Sequence, residues 1–62
     1  MFEELIGSKI TVIYTENEVL LTSQGMLISV DTGFLHLQTH DNHVYISIPT
    51  IVKVKQKVDE ND

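Results

Sequence analysis

Three histidines fall within eight residues of this chain: His36, His40 and His43, with Asp41 between the last two. Imidazole and carboxylate are ligands that suit zinc or nickel, and imidazole changes charge near neutrality, which also allows a pH-dependent surface. The spacing is neither a His-x-His pair nor a His-Glu-x-x-His run, so nothing dense fixes a metal. The reading favoured over a metal site is a polar solvent face and a turn, with Asp41 and Asn42 chosen for loop geometry. Ser8, Ser23, Ser29 and Ser47 are the candidate nucleophiles, but no elbow motif surrounds them and a 62-residue chain has little room for a cleft. The expectation is therefore no enzymatic activity and no cofactor. A second set of side chains could meet RNA: Phe34, His36 and Tyr45 by stacking, and Lys53, Lys55 and Lys57 by phosphate contact.

The elements that position these residues follow from alternation and turn residues. Phe34–Gln38 and His43–Ser47 flank the four-residue loop Thr39-His40-Asp41-Asn42, which predicts a hairpin. Its register pairs Gln38 with His43, Leu37 with Val44, His36 with Tyr45 and Leu35 with Ile46, and paired residues share a face. Leu35, Leu37, Val44, Ile46 and Ile48 then line the core. His36, Gln38, His43, Tyr45 and Ser47 point outward, with His36 and His43 on a diagonal of ~7 Å and His40 in the loop above.

Upstream, Phe2–Ile6 predicts one helical turn ended by Gly7, with Glu3 and Glu4 in solvent. Lys9–Tyr14 predicts a strand with Ile10, Val12 and Tyr14 on one face, and Thr15–Asn17 a polar break. Glu18–Val30 is long for one strand, and Gly25 in its middle marks a bend. After it, Met26, Ile28 and Val30 alternate against Leu27 and Ser29. Asp31-Thr32-Gly33 reads as a tight turn with Gly33 free to take positive φ. Pro49 has no amide hydrogen for a ladder and marks a corner. Ile51–Val58 follows as a last strand, with Val52 and Val54 on one face and Ile51, Lys53, Lys55 and Lys57 on the other. The expected organisation is one domain over residues 1–58 and an acidic disordered tail over residues 59–62.

Composition narrows the class of function. The formal net charge is −5 and there is no arginine, whereas nucleic-acid binders usually carry basic surfaces. Charge therefore disfavours RNA, and it disfavours an anionic membrane surface for the same reason. No apolar run is long enough to span a bilayer. The start MFEELIGSK is acidic where a secretory leader would be basic, so a cytoplasmic location is expected. There is no cysteine, which excludes disulfides and thiolate metal sites. A domain this small buries only ~60% of its unfolded surface and usually needs such a support or self-association.

Gly25, Leu27, Val30, Asp31, Leu35 and Leu37 form a pattern of glycine, hydrophobic alternation, aspartate and second alternation. On these residues the stretch from Phe2 to Val54 resembles the Sm-like family of small β-barrels, the LSm and Hfq type. The spacing after Asp31 is closer to Hfq than to eukaryotic Sm proteins. The size and the Ile48-Pro49 corner are similar to short Sm-like proteins of spore-forming bacteria. The resemblance implies a mainly all-β fold: a short N-terminal helix, then a five-stranded, strongly bent antiparallel barrel of the Sm-like or SH3-like kind. It also implies a homo-oligomer in which the fourth strand of one copy pairs with the fifth of the next, with His43, Tyr45, Ser47, Ile51, Lys53 and Val54 at the junction. Edge lysines can instead protect a monomer, or they can meet acidic groups of a neighbour.

The chain departs from the family at its RNA-reading residues. Phe34 or Leu35 stands where Sm proteins carry an asparagine. Ile48-Pro49-Thr50 occupies the corner where they carry Arg-Gly and Hfq carries Tyr-Lys-His. The reading is a non-enzymatic assembly or binding module whose partner is a protein, further copies of itself included. An Hfq-like RNA-binding regulator is the alternative, and a histidine-based metal-binding protein comes third.

Overall fold

The computed structural model describes residues 2–57; the Val58 end of the last strand and the acidic tail lie outside the described residues. The fold is all-β. Five antiparallel strands, β1 (Lys9–Glu16), β2 (Val19–Asp31), β3 (Phe34–Gln38), β4 (His43–Ser47) and β5 (Ile51–Gln56), form one sheet. Their spatial order is β4-β3-β2-β1-β5.

The sheet does not close into the expected barrel. β4 pairs only with β3, and β5 only with β1, so both remain edges among the described residues. Yet these opposite edges are joined by just Ile48–Thr50, a 3-10 turn with Pro49 in its first turn. A link that short spans at most ~14 Å, so the sheet must roll until the Ser47 end of β4 comes near the Ile51 start of β5. A shallow groove lined by Tyr14, Glu16, Tyr45 and Thr50 marks where β1 and β4 approach across the gap. Thr50 Oγ1 donates to the Ser47 carbonyl at 2.7 Å and pins the corner.

The N-terminal helix is also smaller than expected. It is a single 3-10 turn, Glu3–Leu5, not an α-helix. Leu5 N–H reaches the Phe2 carbonyl at 2.9 Å, and Ile6 N–H the Glu3 carbonyl at 3.2 Å. Gly7, at φ +92°, then turns its N–H onto the Leu27 carbonyl at 2.8 Å, while Leu27 N–H donates to Ser8 at 3.0 Å. The sheet captures the chain before an i→i+4 bond can form. Phe2 and Leu5 pack on the core.

That core is Ile10, Val12, Leu27, Leu35, Leu37 and Ile46, each at most 2% exposed, with Val44, Ile48, Ile51 and Val54 packed around it. The β3–β4 register is the one read from the sequence, residue for residue. Gly25 sits where β2 passes from β1 to β3. A Cβ there would lie 2.6 Å from the Gln38 carbonyl oxygen, so only glycine allows this close backbone crossing.

Three local readings change. The first turn is a two-residue loop, Asn17-Glu18, between the paired residues Glu16 and Val19. Both loop residues have positive φ, 53° and 66°, the geometry of a type I′ hairpin. The second change is a register shift between Leu27 and Ser29. It puts Val30 on the core side with Leu27 and turns Ser29 outward with Met26, because a bulge residue breaks the two-residue period. The third is a shift in the β1–β5 pairing at Ile13/Tyr14, so that Ile51 pairs with Tyr14 and Val54 with Val12. Ile51 and Val54 therefore face inward together, and Val52 is left 62% exposed.

Candidate functional site

The outer face of β2–β3–β4 gathers most of the chain's chemistry. Across β3 and β4 the pairs His36–Tyr45 and Gln38–His43 share that face, and the bulge brings Ser29 opposite His36. His36 Nε2 lies 2.8 Å from His43 Nδ1, and the ring centroids are 5.0 Å apart. One of the two nitrogens must donate and the other accept. On its other side, His36 Nδ1 is 3.5 Å from Ser29 Oγ. The phenol of Tyr45 stacks on His36 at 4.4 Å, with the rings 18° from parallel. His36 is thus half-buried between a stacked ring, a hydroxyl and a second imidazole, while His43 and Tyr45 are exposed.

His40 does not join them. Its side chain is 96% exposed and its nearest charged neighbour is Asp41, at 3.6 Å. The loop holds its own shape: Thr39 N–H donates to the Asn42 carbonyl at 2.8 Å, and Asn42 N–H to Thr39 Oγ1 at 3.1 Å. Among the described residues no group of three or more His, Cys, Asp or Glu side chains converges on a common point. The three-histidine set is therefore reduced to a pair.

The remaining candidates divide between the two edges. Phe34, 47% exposed, continues the aromatic row on β3. Lys53 and Lys55 are exposed on β5, at the far end of the strand order, and Lys57 follows just beyond it. In one chain the stacking residues therefore lie on edge strand β4 and its neighbour β3, and the lysines on and just beyond the opposite edge strand, β5. Of the serines, Ser23 Oγ is 3.3 Å from the Tyr14 hydroxyl, and Ser8 Oγ accepts from Gln56 Nε2 at 3.2 Å.

The backbone at both edges has a definite direction. In an antiparallel ladder, alternate pairs exchange hydrogen bonds while the pairs between them turn their backbone groups away. Thr39 with Asn42, and Gly33 with Ile48, are bonded pairs. By alternation Leu37–Val44 and Leu35–Ile46 are too, so His43, Tyr45 and Ser47 turn their N–H and C=O groups to the free edge of β4. Lys57 N–H bonds the Lys9 carbonyl at 3.3 Å. Hence Lys55 and Lys53 face β1, and Val54 and Gln56 present their backbone groups at the free edge of β5.

No family model, curated protein or solved structure matches this chain.

Ser29 is the site residue that sequence periodicity misses, because the bulge reverses its side. The signal was present in Leu27-Ile28-Ser29-Val30: strict alternation would have put a hydroxyl beside Leu27 in the core, without need. Chemically, the arrangement can share a proton between two imidazoles, offer two nitrogens to a metal, or present a flat aromatic surface. Its edge can accept another strand.

Proposed function

We propose that this protein is a non-enzymatic, Sm-like assembly module whose copies join edge to edge, β4 of one against β5 of the next. One observation carries the reading. Two short strands at opposite edges of a rolled sheet leave outward backbone groups at His43, Tyr45 and Ser47 and at Val54 and Gln56. Free edges of this kind are normally covered or paired, and a head-to-tail contact between two different edges closes into a ring when the rotation fits. Exposed Tyr45 on one edge and Val52 on the other give apolar surface for the contact. Lys53 and Lys55 on β5 can meet Asp41, in the loop leading into β4, which favours this pairing over β5 against β5. The rolled, unclosed sheet and the strand order support an Sm-like architecture, with closure supplied by neighbours.

The test is native mass by size-exclusion chromatography with light scattering, without nucleic acid. The expected result is a discrete multiple of 7.0 kDa. Val54→Pro removes an outward donor while leaving the bonded β1–β5 pairs in place. That variant should run as a folded monomer. A wild-type chain that stays monomeric at high concentration overturns the reading.

A second reading is supported by the division of the site. The His36–Tyr45 stack with Phe34 lies at one edge and the lysines at the other, so edge-to-edge assembly would bring a stacking surface beside cations from the next copy. That combination is how single-stranded nucleic acid is held. The expected outcome is salt-sensitive binding of A- or U-rich oligonucleotides by the assembled protein and none by Val54→Pro. No binding at low salt removes it.

A further inference from the structure

We propose that His36 and His43 form a two-nitrogen chelate for a tetragonal divalent transition metal, Cu²⁺ or Ni²⁺ in preference to Zn²⁺. The site is complete within one chain and does not rest on the assembly reading. Two features of the fold build it. The β3–β4 register sets the imidazoles on a diagonal of one face, and the diagonal closes until Nε2 of His36 and Nδ1 of His43 are 2.8 Å apart. His36 is held in place before any metal arrives, by the Tyr45 ring stacked on it and by Ser29 Oγ behind Nδ1. A Nδ1 proton directed at Ser29 leaves the Nε2 lone pair free, and such outer contacts orient metal-binding imidazoles.

The separation of the two nitrogens chooses among metals. With metal–nitrogen bonds of about 2.0–2.1 Å, a right-angle pair needs nitrogens about 2.9 Å apart, and a tetrahedral pair about 3.3 Å. The observed 2.8 Å matches the right-angle separation, so the nitrogens keep their spacing while each ring turns its lone pair off the N···N line toward the metal. Tetragonal coordination by nitrogen and oxygen is the preference of Cu²⁺ and Ni²⁺. The coordination step balances simply. In the neutral pair, the proton between the rings leaves His43 Nδ1 and His43 carries its proton on Nε2. In a protonated pair, one further proton is released to solvent. Water fills the remaining positions. β2, β3 and β4 contain no lysine, so no ammonium group on these strands opposes the cation.

The experiment is a titration of the full chain with Cu²⁺, Ni²⁺ and Zn²⁺ at neutral pH by calorimetry. Electron paramagnetic resonance of the Cu²⁺ form then counts nitrogen ligands on the unaltered protein. The expected result is one equivalent per chain, two imidazole nitrogens in the spectrum, and Zn²⁺ weaker than Cu²⁺ and Ni²⁺. Affinity should be unchanged in His40→Ala, lower by about tenfold in Ser29→Ala, and lost in His43→Gln, whose exposed position leaves folding intact as checked by circular dichroism. Binding that survives His43→Gln, a spectrum with a single nitrogen, or a loss in His40→Ala equal to that in His43→Gln would overturn the proposal. So would a chain that binds none of the three metals.

Discussion

In the β3–β4 hairpin the inward side chains Leu35, Leu37 and Ile46 are sealed from solvent, and the outward row of Phe34, His36, His43 and Tyr45 is polar or aromatic. In the β1–β2 hairpin burial stops half-way. Ile10 and Val12 are buried and Tyr14 is half-buried, but past them Val19 and Leu20 are 54% and 62% exposed. The pairing is antiparallel in both. What differs is the source of specification. A one-residue slip that turns β3 over would expose Leu35 and Leu37 and bury His36, and one that turns β4 over would expose Ile46 and bury His43, so burial alone fixes its register. Near the tip of β1–β2 little is buried, and the turn at Asn17-Glu18 has to set the register. The β3–β4 hairpin can therefore hold a fixed outer site, because its inner face already determines where each side chain goes.

The largest effect should come from removing burial in the hairpin that depends on it. Leu37 is fully buried at the centre of the core, and Leu37→Ala should cost about 2–5 kcal/mol. A domain of this length has roughly 3–9 kcal/mol in total, so the variant should be largely unfolded in mild urea, as read by circular dichroism. A loss below about 1 kcal/mol would mean that β3–β4 is held by something other than its inner face.

The junction between the hairpins comes next. Gly25 belongs to both, pairing with Ile10 on one side and lying under the Gln38 carbonyl on the other. Its φ is not in the left-handed region, so the cost of Gly25→Ala is steric. With a backbone atom 2.6 Å from the new methyl group, the expected loss is about 1–3 kcal/mol. The amide shifts of Gln38 and Thr39 should move more than those of the Asn17-Glu18 turn. Equal shifts at both would show that the two hairpins are a single rigid unit.

The same contrast explains what could be read from the chain. The β3–β4 register, its loop, the Gly33 turn, the Gly25 bend and the Pro49 corner are legible because each rests on one-sided burial or on a residue with a single conformational use. Three features were not. The bulge at Leu27/Ser29 inserts one residue into an otherwise regular run, so the two-residue period carries Ser29 onto the Leu27 face, and only its hydroxyl argues against that side. The β5 shift is hidden in the same way, since Ile51, Val52 and Val54 are equally hydrophobic. The open sheet follows from which edges pair, a non-local matter that local pattern does not carry. In the site, register predicted that His36 and His43 share a face. Their 2.8 Å approach depends on twist, and the separation of His40 depends on a loop that bonds to itself.

The smallest effect tests the turn-specified half. Glu18 stands at φ 66° and Asn17 at φ 53°. Asparagine tolerates that region, but a glutamate pays a steric cost there that glycine does not. Glu18→Gly produces Asn-Gly, the pair that the type I′ geometry favours most. Against this gain, glycine widens the unfolded ensemble, so the net stabilisation should be about 0.5 kcal/mol, a rise in Tm of about 2–4 °C. The sign is what matters. If the tip of β1–β2 is set by its turn, relieving the strain must stabilise the whole domain, because β1 carries both β2 and β5. If Tm is unchanged while local hydrogen exchange at Glu16 and Val19 slows, the tip frays independently of the core. The turn would then order only the overhang, and burial of Ile10 and Val12 would suffice for the register in both hairpins.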